Sequence, residues 1–396
     1  MSPPTIRQRP RQSGILRVSP IFTLSLIAVL SGAIQRSAHA LTFQLTFDSS
    51  VSTAPAGFLP AFNNAIQFYQ TTFTDPITIK LQVGWGTIDN KSLVPGALGE
   101  SLVNGQVFSN FGGVKSALMS DAKSAADQTS VSNIAANDPT SGATFVMAYA
   151  EAKALGLLAA NAPALDGFVG FSSTAPFTFD PNNRAIAGEN DFIGTAEHEI
   201  SEVMGRYGMG QNAGTLGRYS PIDVFRYASP GMLDLVPANG AYFSINGGTT
   251  VIHTFNGPNG GDLSDWLKGA IADSYDVGPT LGSEAAVSAG DVTLMDVIGY
   301  DVAVPPVTGD YNGNGVVDAA DYTIWRDSLG STANLAADGD LDGMVDTGDY
   351  DVWKTNFGNH SGSGASANAA VPEPSTLWML LTGTLTMCAR RRMKVS

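Results

Sequence analysis

The residue types best suited to chemistry lie in one short run, Glu197-His198-Glu199-Ile200-Ser201-Glu202-Val203-Met204-Gly205-Arg206. On a helix, positions four apart lie about 40° apart around the axis, so His198 and Glu202 could hold one metal ion between them. Glu199 falls about 100° from His198 on the same side. Ile193, Ala196, Ile200, Val203 and Met204 gather on the opposite side, toward a core. A further ligand must come from elsewhere in the chain. Asp223, in the turn-forming stretch Tyr219–Tyr227, is the first candidate and His253 the second; Asp262 and Asp265, in Gly261–Trp266, remain open.

A second chemistry is written twice near the C-terminus. Asp310, Asn312, Asn314, Gly315, Asp318 and Asp321 repeat, 28 residues on, as Asp338, Asp340, Asp342, Gly343, Asp346 and Asp349. Side-chain oxygens at loop positions 1, 3, 5, 9 and 12, with glycine at 6 for a sharp turn, are what a hard cation with many oxygen ligands requires. Val316 and Met344 at position 7 would add backbone carbonyls. Two calcium ions are the expected cofactors. A Tyr-x-x-Trp pair follows each loop, Tyr322/Trp325 and Tyr350/Trp353. Between Asp310 and Gly358, ten Asp face only Arg326 and Lys354, so the segment should need a cation to fold.

Several elements must position these groups. Phe58, Phe62, Ala65, Ile66, Tyr69 and Phe73 recur at helical spacing within Gly57–Phe73. Ile77–Val83 alternates apolar and polar residues and predicts a half-buried strand. Ala143–Leu158 predicts a helix, Gly167–Phe171 a short buried strand, Phe192–Arg206 the motif helix, and Val292–Ile298 a closing helix that starts near Ser288. The stretch Asp89–Asp138, rich in Ser, Ala, Gly and Asn, gives no periodic signal. Helix, strand, irregular stretch, strand and helix in that order predict an α+β fold.

Both ends read as processing segments. Basic residues before Ile21–Leu30, then Ala38-His39-Ala40, have the layout of a secretory signal peptide. Val371-Pro372-Glu373-Pro374-Ser375, an apolar run and Arg390-Arg391-Arg392 close the chain. Losing the nine basic residues of the two ends would take the formal charge from −15 to −24, an acidic surface that argues against nucleic acid as a partner. The single cysteine, Cys388, lies in the tail, so disulfides cannot hold the exported part. The expected division is signal peptide 1–40, a large domain 41–303, a Pro-rich linker 304–308, a calcium module 309–359, a flexible linker 360–370 and a sorting tail 371–396.

Three resemblances attach to these residues. The tail resembles the PEP-CTERM sorting signal of Gram-negative bacteria, which implies processing by an exosortase and sorting to the envelope or extracellular matrix. The His198 run resembles the His-Glu-x-x-His helix of zinc proteases with the second His replaced by Glu, and Gly205 matches the glycine that ends that helix in metzincins. By that likeness His198 and Glu202 would be zinc ligands and Glu199 the general base. The metzincin place for a third ligand is Gly208 here, which leaves that ligand open. Phe192–Arg206, Ser220–Tyr227 and Leu294–Tyr300 are together similar to a family of exported bacterial metalloproteases that carry PEP-CTERM tails, and imply a zincin-like domain acting on protein or peptide substrates. Residues 309–359 resemble type I dockerin modules and so imply a cohesin-like partner. Positions 10 and 11, often Ser-Thr in such modules, are Ala319-Ala320 and Thr347-Gly348. The expected function is a secreted zinc endopeptidase; the alternative is a non-catalytic envelope or matrix protein that binds through its calcium module.

Overall fold

The computed structural model describes residues 41–208, 218–236, 238–258, 261–303 and 307–360. The expected signal peptide, the linker beyond residue 360 and the sorting tail lie outside them. The fold is mixed α+β. Its main sheet has four strands, β1 (Thr42–Phe47), β2 (Thr78–Trp85), β3 (Gly99–Val103) and β4 (Gly167–Phe171), in the spatial order β1-β2-β4-β3. The first three in that order run parallel, and β3 lies antiparallel to β4 at the sheet's edge, with Gly99 opposite Phe171 and Val103 opposite Gly167.

Burial follows the residue pattern. In β2, Ile79, Leu81 and Val83 are buried while Thr78, Lys80 and Gln82 are half-buried, as alternation demands of a strand with one covered face. Helix α1 (Phe58–Thr72) buries its whole apolar stripe, and α2 (Phe192–Val203) buries Phe192, Ile193, Ala196, Ile200 and Val203. Rings from three elements tie these layers together: Phe58 to Phe171 at 6.0 Å, Phe58 to Phe192 at 5.2 Å and Phe171 to Phe192 at 5.0 Å. Each such ring buried contributes roughly 1.5–3 kcal/mol, and edge-on contact about 0.5–1.5 kcal/mol more.

Three sequence expectations change. Ala143–Leu158 is not one helix: Thr144–Ala148 is a strand antiparallel to Gln106–Asn110, and only Tyr149–Ala154 is helical. Phe145, Val146 and Met147 find a pairing partner, and that tertiary pairing overrides local helical spacing. The motif helix stops at Val203, because Gly205 turns left-handed at φ +120° and a Cβ there would press on Glu151 at 2.9 Å. The aperiodic stretch 89–138 is structured: it supplies edge strand β3 and two helices, Phe111–Asp121 and Ala125–Asn133.

A small antiparallel sheet (Arg226–Ser229, Met232–Leu233, Tyr242–Phe243, His253–Thr254) precedes the closing helix α3 (Ala289–Val297). Ser288 starts α3 with a capping box to Asp291. Beyond it, α4 (Ala319–Ser328) and α5 (Thr347–Asn356) each follow one acidic loop and share a small core with Val345 and Ala337.

Candidate metal centres

Helix α2 is fixed at its start by Asp191, which caps Ile193 N at 3.1 Å. Arg184 clamps that region from outside, 2.7 Å from Asp191 and 3.2 Å from Glu197. The helix so held turns Glu199 and Glu202 toward β3 and His198 toward Ser274 and Asp265. Gly99 leaves room for Glu199, since a Cβ at that position would meet its Oε1 at 2.5 Å. Two residues along the same strand, Ser101 donates to Glu202 Oε2 at 2.6 Å.

The decisive contact is on His198. Its Nδ1 lies 2.8 Å from the carbonyl oxygen of Ser274. A carbonyl only accepts, so Nδ1 carries a hydrogen, and Nε2 is left as the ring's free electron pair or as a second N–H. Nε2 faces Glu202 Oε1 at 3.5 Å and Asp265 Oδ1 at 3.4 Å. His198, Glu202 and Asp265 thus form a group whose ligand atoms lie within 4.8 Å of one another, compatible with a metal ion. The carboxylate within reach is Asp265, which the sequence left as one of four possibilities.

Asp223 and His253, the two ranked ahead of it, are not in this group. Asp223 accepts from Ser220 N at 2.7 Å inside its own turn, and His253 stacks on Trp266 at 4.8 Å in a different cluster. Asp262 turns back to cap Ser264 N at 2.7 Å. Asp265 is brought in by pairing of its loop with the segment at Asn256, where Asn256 N donates to its backbone oxygen at 2.7 Å. Sequence spacing carries no signal for such a contact.

Charge is balanced by a residue that belongs to the motif yet received no role from the sequence. Arg206, fully buried, lies 2.7 Å from Asp265 Oδ1 and 3.6 Å from Glu202 Oε1, and its guanidinium sits 4.4 Å over the Tyr275 ring. Burial and Arg206 push the His198 imidazole down, but Asp265 and Glu202 outweigh them and its pKa rises to about 10. Burial would raise Glu202, yet His198, Arg206 and Ser101 together hold it at about 2. Burial carries Asp265 up to about 7 against the pull of His198 and Arg206. Burial and the neighbouring Glu202 push Glu199 well above the usual carboxylate range. The carboxylates therefore demand positive charge at Nε2, which either a proton or a divalent cation supplies. A cleft of about 300 Å³ opens onto His198 and Glu199, with Gly96–Gly99 leading into β3 on one side and Ser274 and Asp276 on the other.

In the C-terminal repeat the two loops share most of their side-chain bonds position for position. Asp310 and Asp338 accept from the backbone N of Gly315 and Gly343, at 2.7 and 3.0 Å. Asn312 and Asp340 accept from the N two residues on, as do Asn314 and Asp342, whose donors are Val316 and Met344. Asp318 and Asp346 cap the following helices, and Asp321 and Asp349 reach back to loop position 3. Gly315 and Gly343 adopt φ of +85° and +91°, which only glycine takes without strain. The oxygens of Asp338, Asp340 and Asp349 lie within 4.8 Å of one another, a second metal-compatible group. The halves also cross-brace: Trp325 Nε1 donates to Asp346 O at 2.6 Å, and Trp353 Nε1 to Asp318 O at 2.8 Å.

Comparison with known proteins identifies the tail. Residues 370–392 match the PEP-CTERM protein-sorting motif. The chain thus carries a C-terminal sorting signal, as expected of an exported, envelope-sorted protein. No curated protein and no solved structure matches the chain. Among the described residues, no helix is long and apolar enough to cross a membrane.

Proposed function

We propose that the chain is a secreted zinc-dependent endopeptidase with a zincin-like domain over 41–303 and a dockerin-like calcium module over 309–359. The observation that carries this reading is His198: its Nδ1 is committed to a carbonyl and its Nε2 is aimed between two carboxylates, the tautomer and setting of a metal-ligating imidazole. The donor set of one nitrogen and two oxygens fits zinc. With Arg206 positive and Glu199, Glu202 and Asp265 ionised, a doubly charged cation brings the cluster to neutrality.

Zinc held there would acidify a water and polarise the scissile carbonyl. The remaining work falls to the chain. Glu199, lining the cleft beside His198, would accept the water's proton and pass it to the leaving amine. Its raised pKa suits a proton carrier once a cation beside it offsets the burial. Ser101 and Arg206 fix the rotamer of Glu202, and Ser274 fixes the ring of His198. An extended peptide would lie along the chain leading into edge strand β3, offering its backbone to the strand. In the repeat, calcium would take the loop oxygens and offset the acidic charge; a cohesin-like protein and an exosortase are the proposed partners.

A second reading rests on Arg206, whose buried ion pairs with Asp265 and Glu202 could complete a purely structural network around an imidazolium. The chain would then be a non-catalytic envelope or matrix protein that binds through its calcium module. Metal analysis of the mature chain, residues 41–359, in saturating calcium separates the two. The protease reading expects about one tightly held zinc that His198→Ala removes. It also expects casein cleavage that Glu199→Gln abolishes while that zinc stays. A chain with no zinc, or cleavage that survives Glu199→Gln, overturns the reading.

A further inference from the structure

A third metal-compatible group adjoins the cleft, which Asp273 also lines: His253, Asp273 and Asp291 place ligand atoms within 4.8 Å of one another. They come from three separate segments: the last strand of the small sheet, the loop that follows it, and the first turn of α3. We propose that these three residues bind a second divalent transition-metal ion of the zinc class, distinct from the one at His198.

Each side chain is held by outer contacts of the kind that pre-form a ligand. The His253 ring stacks on Trp266 with 12° between planes. The start of α3 must be bare for the ring to fit, because a Cβ on Gly290 would overlap His253 Nε2 and Cδ2. Trp266 Nε1 donates to Asp291 Oδ1 at 2.6 Å, and Ser288 N donates to Oδ2 at 2.7 Å. Tyr275 N donates to Asp273 Oδ1 at 2.7 Å. Second contacts of this kind set ligand orientation in metal sites. The Asp273 and Asp291 carboxyl oxygens meanwhile lie within 4.8 Å of each other. Two carboxyls this close favour a proton or a cation between them, and the His253 imidazole completes the group.

The donor set decides the class of ion. Calcium takes six to eight oxygens, whereas an imidazole with two carboxylates is a zinc-like set. A cavity lined by His253, Leu267, Ala272, Asp273, Val287 and Ser288 gives the ion a way in. The consequence for the cleft rests on the protease reading; the site itself does not. Ser274, the neighbour of Asp273, accepts from His198 Nδ1 and donates to Gly194 O at 2.9 Å. An ion on Asp273 would therefore stiffen the loop that aims His198.

The test is zinc binding to the calcium-saturated mature chain carrying His198→Ala, with Asp273→Asn and His253→Ala added singly. About one zinc should survive His198→Ala and be lost with either addition. Zinc should also change the emission of Trp266 in the His198→Ala chain, and that change should vanish in Asp273→Asn and in Trp266→Phe. Circular dichroism checks that each variant is folded, and the conservative Asp273→Asn stands in if His253→Ala is not. A zinc count unaffected by both additions overturns the proposal. Zinc lost entirely with His198→Ala also overturns it, while leaving the reading at His198 intact. Zinc lost only with Asp273→Asn and His253→Ala supports this site and sinks the other.

Discussion

The loop Asp310–Asp321 draws its candidate ligands from one continuous stretch, whereas the centre at His198 draws them from α2 and the distant Asp265, with β3 and Ser274 bracing them. In the loop, backbone N–H groups hold the carboxylates in place, and the turn itself is the scaffold. At His198 the side chains hold one another, through Arg206, Ser101 and a distant carbonyl, and the scaffold is the whole α+β core. The first arrangement is cheap to specify but has little core of its own. The second would keep its shape with or without an ion, because the rings of Phe58, Phe171 and Phe192 pack independently of it.

Removing the ions should break this contrast most visibly. Between Asp310 and Gly358 the formal charge is −8, over a small core in which Val317, Trp325, Ala337, Val345 and Trp353 are buried. In excess chelator, α4 and α5 should lose their helical circular dichroism and become open to proteolysis, while residues 41–303 keep theirs. An unchanged helical signal over the repeat would refute its dependence on calcium.

Next in size is the chemistry. Glu199→Gln should lower kcat/KM for a peptide substrate by about 10²–10⁴-fold and keep the zinc, the usual contribution of a positioned proton carrier. Asp265→Asn should weaken zinc binding. Asp223→Asn should leave zinc in place, since Asp223 accepts from Ser220 N inside its own turn and lies outside the group at His198. Zinc loss in Asp223→Asn but not in Asp265→Asn would reverse the assignment of the third ligand.

That last pair marks how far the sequence could be read. His198, Glu199 and Glu202 share a helix, so their spacing alone puts them on one face, and the acidic loops repeat with every position in register. Asp265 could not be ranked, because what brings it to His198 is pairing between segments 256 and 265, and pairing leaves no periodic trace. Strand β3 was missed for a related reason. Gly99-Glu100-Ser101-Leu102-Val103 is too polar to announce a strand, yet its glycine and serine are there to seat Glu199 and Glu202. Thr144–Ala148 was misread as helix because its partner, Gln106–Asn110, lies in the same silent stretch.

A smaller effect sharpens the symmetry of the repeat. Trp325 and Trp353 each donate to the position-9 carbonyl of the other loop. Trp325→Phe and Trp353→Phe should therefore destabilise the calcium-loaded module by similar amounts, about 1 kcal/mol for the lost hydrogen bond. Thermal unfolding followed on the repeat would read this, and a clear inequality would mean that only one half is braced.

The smallest effect separates carboxylates that are braced from carboxylates that are merely crowded. Asp75 and Asp121 sit near Asp301, beside α1 and at the end of Phe111–Asp121, and both rise to about 7, first through burial and then through the charge of Asp301. Unfolded, each would ionise near 3.8. The folded chain thus holds protons that the unfolded chain releases between those values. Their contribution to stability is full below about pH 4 and lost as pH rises through about 7. Lys123, 4.0 Å from Asp121 but largely exposed, offsets only part of this. Asp121→Asn cannot ionise, so it should leave the melting temperature at pH 4 unchanged and raise it by a few degrees at pH 8, in saturating calcium. A variant that melts lower than the wild type at pH 8 would mean that the Lys123 pair outweighs the crowding. Asp121 would then belong with the braced carboxylates of the loops.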